Sequence, residues 1–121
     1  MSKLILVIED QEDNRRILRD LLTNSNYEVI EAIDGIKGVS SAETYRPDLI
    51  LMDIQLPGID GYEATRQIKA NPDLKKIPII VITSYALSGD DLKAFEAGCD
   101  AYVAKPFSPR ELLAKIREYL P

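Results

Sequence analysis

The chain has 121 residues, 45% hydrophobic and 29% charged, a balance typical of a globular fold. We expect one compact domain over residues 1–121 and no output domain. The net charge of −5 argues against a nucleic-acid partner, and the absence of histidine excludes Ser-His-Asp and Cys-His catalysis and the common zinc sites. No apolar run could span a membrane and no signal peptide is recognisable, so we expect a cytoplasmic protein without a membrane partner. The single Cys99 is expected to be a buried apolar residue.

Five short apolar runs alternate along the chain with five amphipathic stretches. Continuous apolar runs are typical of strands buried on both faces of a parallel sheet, and apolar residues three and four apart indicate helices. In chain order the pattern predicts strand 4–8, helix 13–24, strand 27–32, helix 35–45, strand 48–52, helix 61–70, strand 78–83, helix 89–97, strand 101–104 and a last helix that follows Ser108. Five βα units in sequence predict an α/β fold of three layers, a doubly wound parallel five-stranded sheet with helices on both faces.

Local signals mark several helix boundaries. Ser108-Pro109 with Glu111 has the form of a capping box with proline at the first helical position, and Ser88 with Asp91 is a weaker signal of the same kind. Gly98 is typical of a helix stop. Gly61 is expected to allow close packing at a helix start.

Polar residues follow four of the predicted strands. Glu9-Asp10 follow the first strand, Asp53 follows the third, Thr83 ends the fourth and Lys105 follows the fifth. The carboxyl ends of parallel strands meet at one edge of the sheet, and ligands of such folds bind there. An aspartate after a strand is on its own most often a turn or cap residue, so the joint pattern carries the inference.

The charges of these residues point to a divalent cation. Glu9, Asp10 and Asp53 bring three negative charges to one small site, and Lys105 returns one positive charge. Like charges so close together are unfavourable unless a cation compensates them, and an all-oxygen ligand set suits Mg²⁺. The chemistry that this arrangement predicts is phosphoryl transfer to a carboxylate, with Asp53 as the nucleophile.

The same residues resemble a known family. The set Glu9-Asp10, Asp53, Thr83 and Lys105-Pro106, with the segments 49–61 (LILMDIQLPGIDG) and 104–107 (AKPF), is similar to the response-regulator receiver domain over essentially the whole chain. It resembles the single-domain regulators of the cell-cycle type most. The resemblance implies a flavodoxin-like sheet with the strand order 2-1-3-4-5.

The resemblance also implies a role for each residue at the metal. Asp10, Asp53 and the backbone carbonyl of Gln55 would contact Mg²⁺ directly, and Glu9 would act through a metal-bound water. Lys105 would pair with Asp53 and, after transfer, with the phosphoryl group.

A second group of residues is implied to register the phosphorylation or to set its lifetime. Thr83 would hydrogen-bond a phosphoryl oxygen, and Tyr102 would then turn inward. Gln55 and Tyr85 would influence how fast water reaches the acyl phosphate. The Lys105-Pro106 peptide bond would be cis.

The implied partners are proteins. A histidine kinase or histidine phosphotransfer protein would dock near Asp53 and the first helix, where Ile17 and Leu18 are either exposed or part of the core. A downstream effector would contact the fourth helix, fifth strand and fifth helix, and a phosphorylation-dependent homodimer is left open. The protein would be a signalling switch and not a turnover enzyme.

The sequence argues against two other functions. An FMN module would need a Ser/Thr/Gly-rich loop after the first strand, where this chain has residues 10–13 (DQED). A haloacid-dehalogenase-type phosphatase would need a second aspartate two residues after Asp53, where this chain has Gln55. Two alternatives remain: a receiver-like adaptor that works without phosphorylation, and a receiver module separated from a larger hybrid kinase.

Overall fold

The predicted alternation of strands and helices is present in the computed structural model, which describes residues 2–83 and 90–121. The elements are β1 (Leu4–Ile8), α1 (Glu12–Asn24), β2 (Glu28–Ala32), α2 (Gly35–Tyr45), β3 (Leu49–Asp53), α3 (Gly61–Ala70), β4 (Ile79–Thr83), α4 (Asp90–Ala97), β5 (Ala101–Ala104) and α5 (Pro109–Tyr119). Predicted boundaries differ by one residue at several ends. Asp53 is the last residue of β3 and not the first residue after it.

The strands form one parallel sheet in the order β2-β1-β3-β4-β5, which confirms the predicted fold class. The register decides which residues meet at the carboxyl edge. Ile8 pairs with Met52, so Glu9 lies beside Asp53, and Thr83 pairs with Ala104, so Lys105 extends past Thr83. Asp53 itself pairs with Ile82 on the neighbouring strand. The polar strand ends are therefore brought to one rim by the pairing of the apolar residues that precede them.

Two hydrophobic clusters lie on opposite faces of the sheet because side chains alternate along each strand. One cluster joins alternate residues of β1 and β3 to α2, α3 and α4, with Ala42, Ile68 and Ala94 among its helical members. The other joins the remaining strand residues to α1 and α5, with Leu22 and Ile116 fully buried. This gives three layers, as the sequence predicted.

Among the helix starts that the structure describes, three have a side-chain cap. Ser108 Oγ accepts a hydrogen bond from the Glu111 amide at 3.1 Å, as the capping signal predicted. Asp34 and Asp60 make equivalent bonds at the starts of α2 and α3, and the sequence had not singled out either residue. Gly98 has a φ of 110° and ends α4, which confirms the predicted stop. Ser88, the other predicted cap, lies outside the described residues.

The structure shows which of the apolar residues named above are exposed and which are buried. Ile17 is 61% exposed and Leu18 is 7% exposed, so the first is a surface residue and the second belongs to the core. Cys99 is buried, as predicted. Within the described ranges, no helix combines the length and the apolar character that crossing a membrane requires.

Candidate functional site

Three carboxylates lie together at the carboxyl edge of the sheet. One oxygen of each of Glu9, Asp10 and Asp53 lies within 4.8 Å of the others. Glu9 is buried, and Asp10 and Asp53 are half-buried. These carboxylates are the ones that the sequence predicted to meet, and their oxygens are hard ligands suited to a divalent cation.

Glu9 is the most enclosed member of the group, with 2% of its surface exposed. Its Oε1 lies 3.5 Å from the Lys105 ammonium and forms an ion pair with it. Its Oε2 is buried with no hydrogen-bond donor among the described residues. A buried carboxylate oxygen without a partner is costly, so the site fits a bound cation or a metal-bound water facing this oxygen.

The carboxylates perturb one another. Burial raises the pKa of Asp53 to about 7, and its hydrogen bond with Glu9 and the negative charge of Glu9 act in the same direction. Burial would also raise the pKa of Glu9, but the hydrogen bond with Asp53 and the charge of Lys105 outweigh it, so the pKa of Glu9 is lowered. Two ionised carboxyls so close together are therefore unfavourable without a compensating positive charge. A bound cation would supply that compensation.

The backbone around Asp53 is closely packed. The Ile54 amide donates to Asp53 Oδ1 at 2.8 Å, which leaves Oδ2 as the oxygen not used by this bond. The Gly61 amide donates to the Ile54 carbonyl at 2.8 Å and closes the intervening loop. A Cβ atom on Gly61 would collide with the carbonyl oxygen of Asp53, so the expected close packing at this helix start is confirmed. Gln55 lies in the loop and is exposed.

The other side of the rim is formed by β4 and β5. The Lys105 amide donates to the Thr83 carbonyl at 2.7 Å, and the Lys105-Pro106 peptide bond is cis, the isomer that the resemblance implies. Thr83 is buried at the end of β4. Tyr102 is half-buried and packs against the core cluster next to α4. Tyr85 lies outside the described residues.

Lys105 differs in one respect from the predicted arrangement. The resemblance implied a pair between Lys105 and Asp53, whereas the ion pair in the structure is with Glu9. Lys105 still acts on Asp53 through its charge, which lowers the pKa of that carboxyl against the larger effect of burial.

Two residues near the site were missed at the level of sequence. Asn14 lies near the Glu9 side chain and helps to lower its pKa. Arg15 donates from Nη1 to the backbone carbonyl of Glu9 at 2.9 Å. Both follow an acidic helix start and read as ordinary surface residues of α1, because a contact with a backbone carbonyl leaves no pattern in the sequence.

Comparisons with known proteins relate the whole chain to one family. A sequence profile described as the response regulator receiver domain matches residues 5–117. The polar-differentiation response regulator DivK of Brucella anthropi is 41% identical over 120 residues, covering 99% of this chain and 98% of that protein.

Solved structures give the same result. The receiver domain of sensor histidine kinase PA1611 from Pseudomonas aeruginosa PAO1, with a magnesium ion coordinated in its active site cleft, is 40% identical with a TM-score of 0.93, covering 99% of this chain and 98% of that chain. A CheY-like receiver domain protein from Methanospirillum hungatei JF-1 is 32% identical with a TM-score of 0.92, covering 99% and 94%. The match of the family model over residues 5–117, together with relatives about as long as this chain, shows that the chain belongs to the response regulator receiver domain family of two-component signalling proteins.

Proposed function

We propose that Asp53 is the residue that accepts the phosphoryl group, from a histidine kinase or a histidine phosphotransfer protein. The observation that supports this most directly is the position of Asp53 at the end of β3, within 4.8 Å of two further carboxylates and under the charge of Lys105. Asp53 is half-buried and therefore reachable from the rim, whereas Glu9 is enclosed.

The residues present fit Mg²⁺ as the cofactor. Asp10, Asp53 and the backbone carbonyl of Gln55 would hold the ion, and Glu9 would contact it through a bound water. The partnerless Glu9 Oε2 and the all-oxygen donor set support this assignment. When bound, Mg²⁺ would supply charge neutralisation for the oxygens of the transferred phosphoryl group.

The chain's own residues account for the transfer by position and charge. The Ile54 amide holds Asp53 Oδ1, so Oδ2 is the oxygen that would form the new bond to phosphorus. The bond between phosphorus and the donor's histidine nitrogen breaks as this bond forms, and the nitrogen keeps the electron pair. Lys105, now paired with Glu9, would share its charge with the arriving phosphoryl oxygens.

The phosphorylated state would be read through β4, β5 and α4. Thr83 is buried at the end of β4, one residue beyond the partner of Asp53 in the sheet, and could hydrogen-bond a phosphoryl oxygen. Tyr102 packs on the cluster that also contains Ala94 of α4, so a change at Thr83 can reach that helix. Leu92 and Phe95 on α4 are 60% and 49% exposed and offer an apolar surface to a downstream protein. Gln55 and Tyr85 would set the lifetime of the acyl phosphate, and the same surface could support a phosphorylation-dependent homodimer.

The test is covalent labelling with acetyl phosphate followed by intact-protein mass spectrometry. We expect a gain of one phosphoryl group in the presence of Mg²⁺, loss of the label in excess chelator, and no label on Asp53→Asn. Asp20→Asn, the same change at an exposed aspartate of α1, is the matched control and should label like the wild type.

Label on the Asp53→Asn protein would show that another residue is the acceptor. Label that survives chelation would show that the carboxylate cluster works without a cation. No label on the wild type under any condition would favour the adaptor that works without phosphorylation.

A further inference from the structure

The turn between β1 and α1 carries Glu9 and Asp10 but has little local support. Gln11, the residue at the N-cap of α1, makes no side-chain cap hydrogen bond. In contrast, α2, α3 and α5 each start with a capping side chain. Without such a cap, contacts from other side chains become more important for holding the two carboxylates.

Arg15 makes one of the contacts that hold the backbone of this turn. The Glu9 amide donates to the Ala32 carbonyl at 3.0 Å, which fixes one side of its backbone to β2. The Glu9 carbonyl accepts from Arg15 Nη1 at 2.9 Å, which fixes the other side to α1. The backbone of Glu9 is thus held from both directions, directly beneath the carboxylate cluster.

The Arg15 guanidinium is itself held in place. Its side chain is 11% exposed, and its Nε lies 3.3 Å from Glu31 Oε1 on β2. A second ion pair joins it to Glu12 at the start of α1. Arg19 contacts the other oxygen of Glu31 at 2.8 Å, so Glu31 is shared between two arginines. A planar guanidinium can bridge a carbonyl and a carboxylate at the same time, which a lysine ammonium cannot do in the same geometry.

We propose that Arg15 is a positioning residue for the metal site, which holds the Glu9-Asp10 turn so that both carboxylates can serve one cation. This rests on the proposed function, since it requires the carboxylate cluster to bind Mg²⁺. In this role Arg15 would not contact the cation or the phosphoryl group. It acts through the Glu9 carbonyl, as outer-shell partners of metal ligands do elsewhere.

The sign of the effect separates positioning from plain electrostatics. Removing a positive charge near a cation site should tighten Mg²⁺ binding if only long-range charge matters. Loss of positioning should weaken it. We therefore expect Arg15→Met to raise the Kd for Mg²⁺ by roughly 10-fold, the lower end of what loss of an outer-shell partner causes. Arg15→Lys, which keeps the charge but not the fork, should also weaken binding, by a smaller factor.

Arg16→Met is the matched control. Arg16 is the next residue of α1, its side chain is 60% exposed, and its ion pair is with Asp13 on the surface. The substitution removes the same charge from the same helix and leaves the Glu9 carbonyl bond intact. Its Mg²⁺ affinity should equal or slightly exceed that of the wild type.

The experiment measures the Kd for Mg²⁺ by isothermal titration calorimetry, with urea unfolding in chelator to verify that each variant is folded. Labelling by acetyl phosphate is then followed against Mg²⁺ concentration. Loss of positioning raises the half-saturating Mg²⁺ concentration and leaves the plateau rate unchanged, whereas partial unfolding lowers the plateau.

The two proposals fail in different ways. Calorimetry that shows no Mg²⁺ binding to the wild type overturns the proposed function. Wild-type binding that Arg15→Met or Arg15→Lys leaves equal or tighter overturns the positioning inference alone. If Arg15→Met does not fold, Arg15→Lys decides the matter by the same criterion.

Discussion

Replacing Asp53 by asparagine should stabilise the metal-free protein at alkaline pH. The Asp53 carboxyl lies beside Glu9, and burial raises its pKa to about 7. Ionising it therefore places a second buried negative charge next to Glu9. Asparagine has nearly the same shape, cannot ionise, and has an amide that can donate to the neighbouring carboxylate.

The expected size follows from the pKa. A rise from 3.8 to about 7 corresponds to an upper limit of about 4 kcal/mol, at about 1.4 kcal/mol for each pKa unit. The lowered pKa of Glu9 arises partly from the same hydrogen bond and offsets part of this cost. We expect Asp53→Asn to raise the free energy of unfolding by about 1–2 kcal/mol at pH 8.

The pH dependence has a definite sign. Between pH 4 and pH 7 the folded protein retains a proton on Asp53 that the unfolded chain releases, so Asp53 makes the wild type less stable as the pH rises. Asparagine has no such titration. The stability gain of the variant should therefore be small at pH 5 and largest at pH 8.

Urea unfolding followed by circular dichroism, in chelator at pH 5, 6, 7 and 8, measures this difference. Asp20→Asn at an exposed position is the control and should change stability little at any of these pH values. Saturating Mg²⁺ should stabilise the wild type more than the variant and so reduce or reverse the gain. A variant that is no more stable than the wild type at pH 8, or a gain that does not change with pH, would refute the reasoning.

Three further predictions concern buried residues. Gly61→Ala should lower the free energy of unfolding by about 1–3 kcal/mol in urea titrations, because a Cβ there collides with the Asp53 carbonyl, and an unchanged value would contradict this. Thr65→Val should raise the unfolding free energy by about 1 kcal/mol, because its buried hydroxyl has no partner among the described residues, and a loss of stability would reveal one. Burial raises the pKa of Cys99 from 9.0 to about 11, so alkylation by iodoacetamide at pH 8 should be about 100-fold slower in the folded protein than in urea, and equal rates would show that the thiol is accessible.

Much of the fold could be predicted from the sequence because its signals are local. The run Leu4–Ile8 contains only apolar residues, and Ile79–Thr83 contains only apolar residues before its final threonine. Such runs are typical of strands covered on both faces. The cap at Ser108 depends on Glu111, three residues later, and the helix stop at Gly98 depends on the conformation of that glycine alone. Helix α3 likewise ends at Ala70, directly before Asn71-Pro72, and a residue that precedes proline is disfavoured in a helix.

The amino-acid sequence by itself determined that Glu9, Asp10, Asp53, Thr83 and Lys105 stand at the ends of strands. Their meeting at one rim then follows from parallel pairing, because apolar residues in register bring the polar residues after them to the same edge.

Only the tertiary structure decided which of these groups pair and what holds them. Lys105 lies against Glu9, a residue far from it in the chain, and Arg15 binds the backbone carbonyl of Glu9. The sequence pattern indicates neither contact, because each depends on how the elements pack. The exposure of Ile17 beside the buried Leu18 was settled in the same way, by the rotation of α1 on the sheet. Local sequence determines where an element begins and ends, whereas packing determines which atoms face each other. The chemistry of Asp53 depends on that packing.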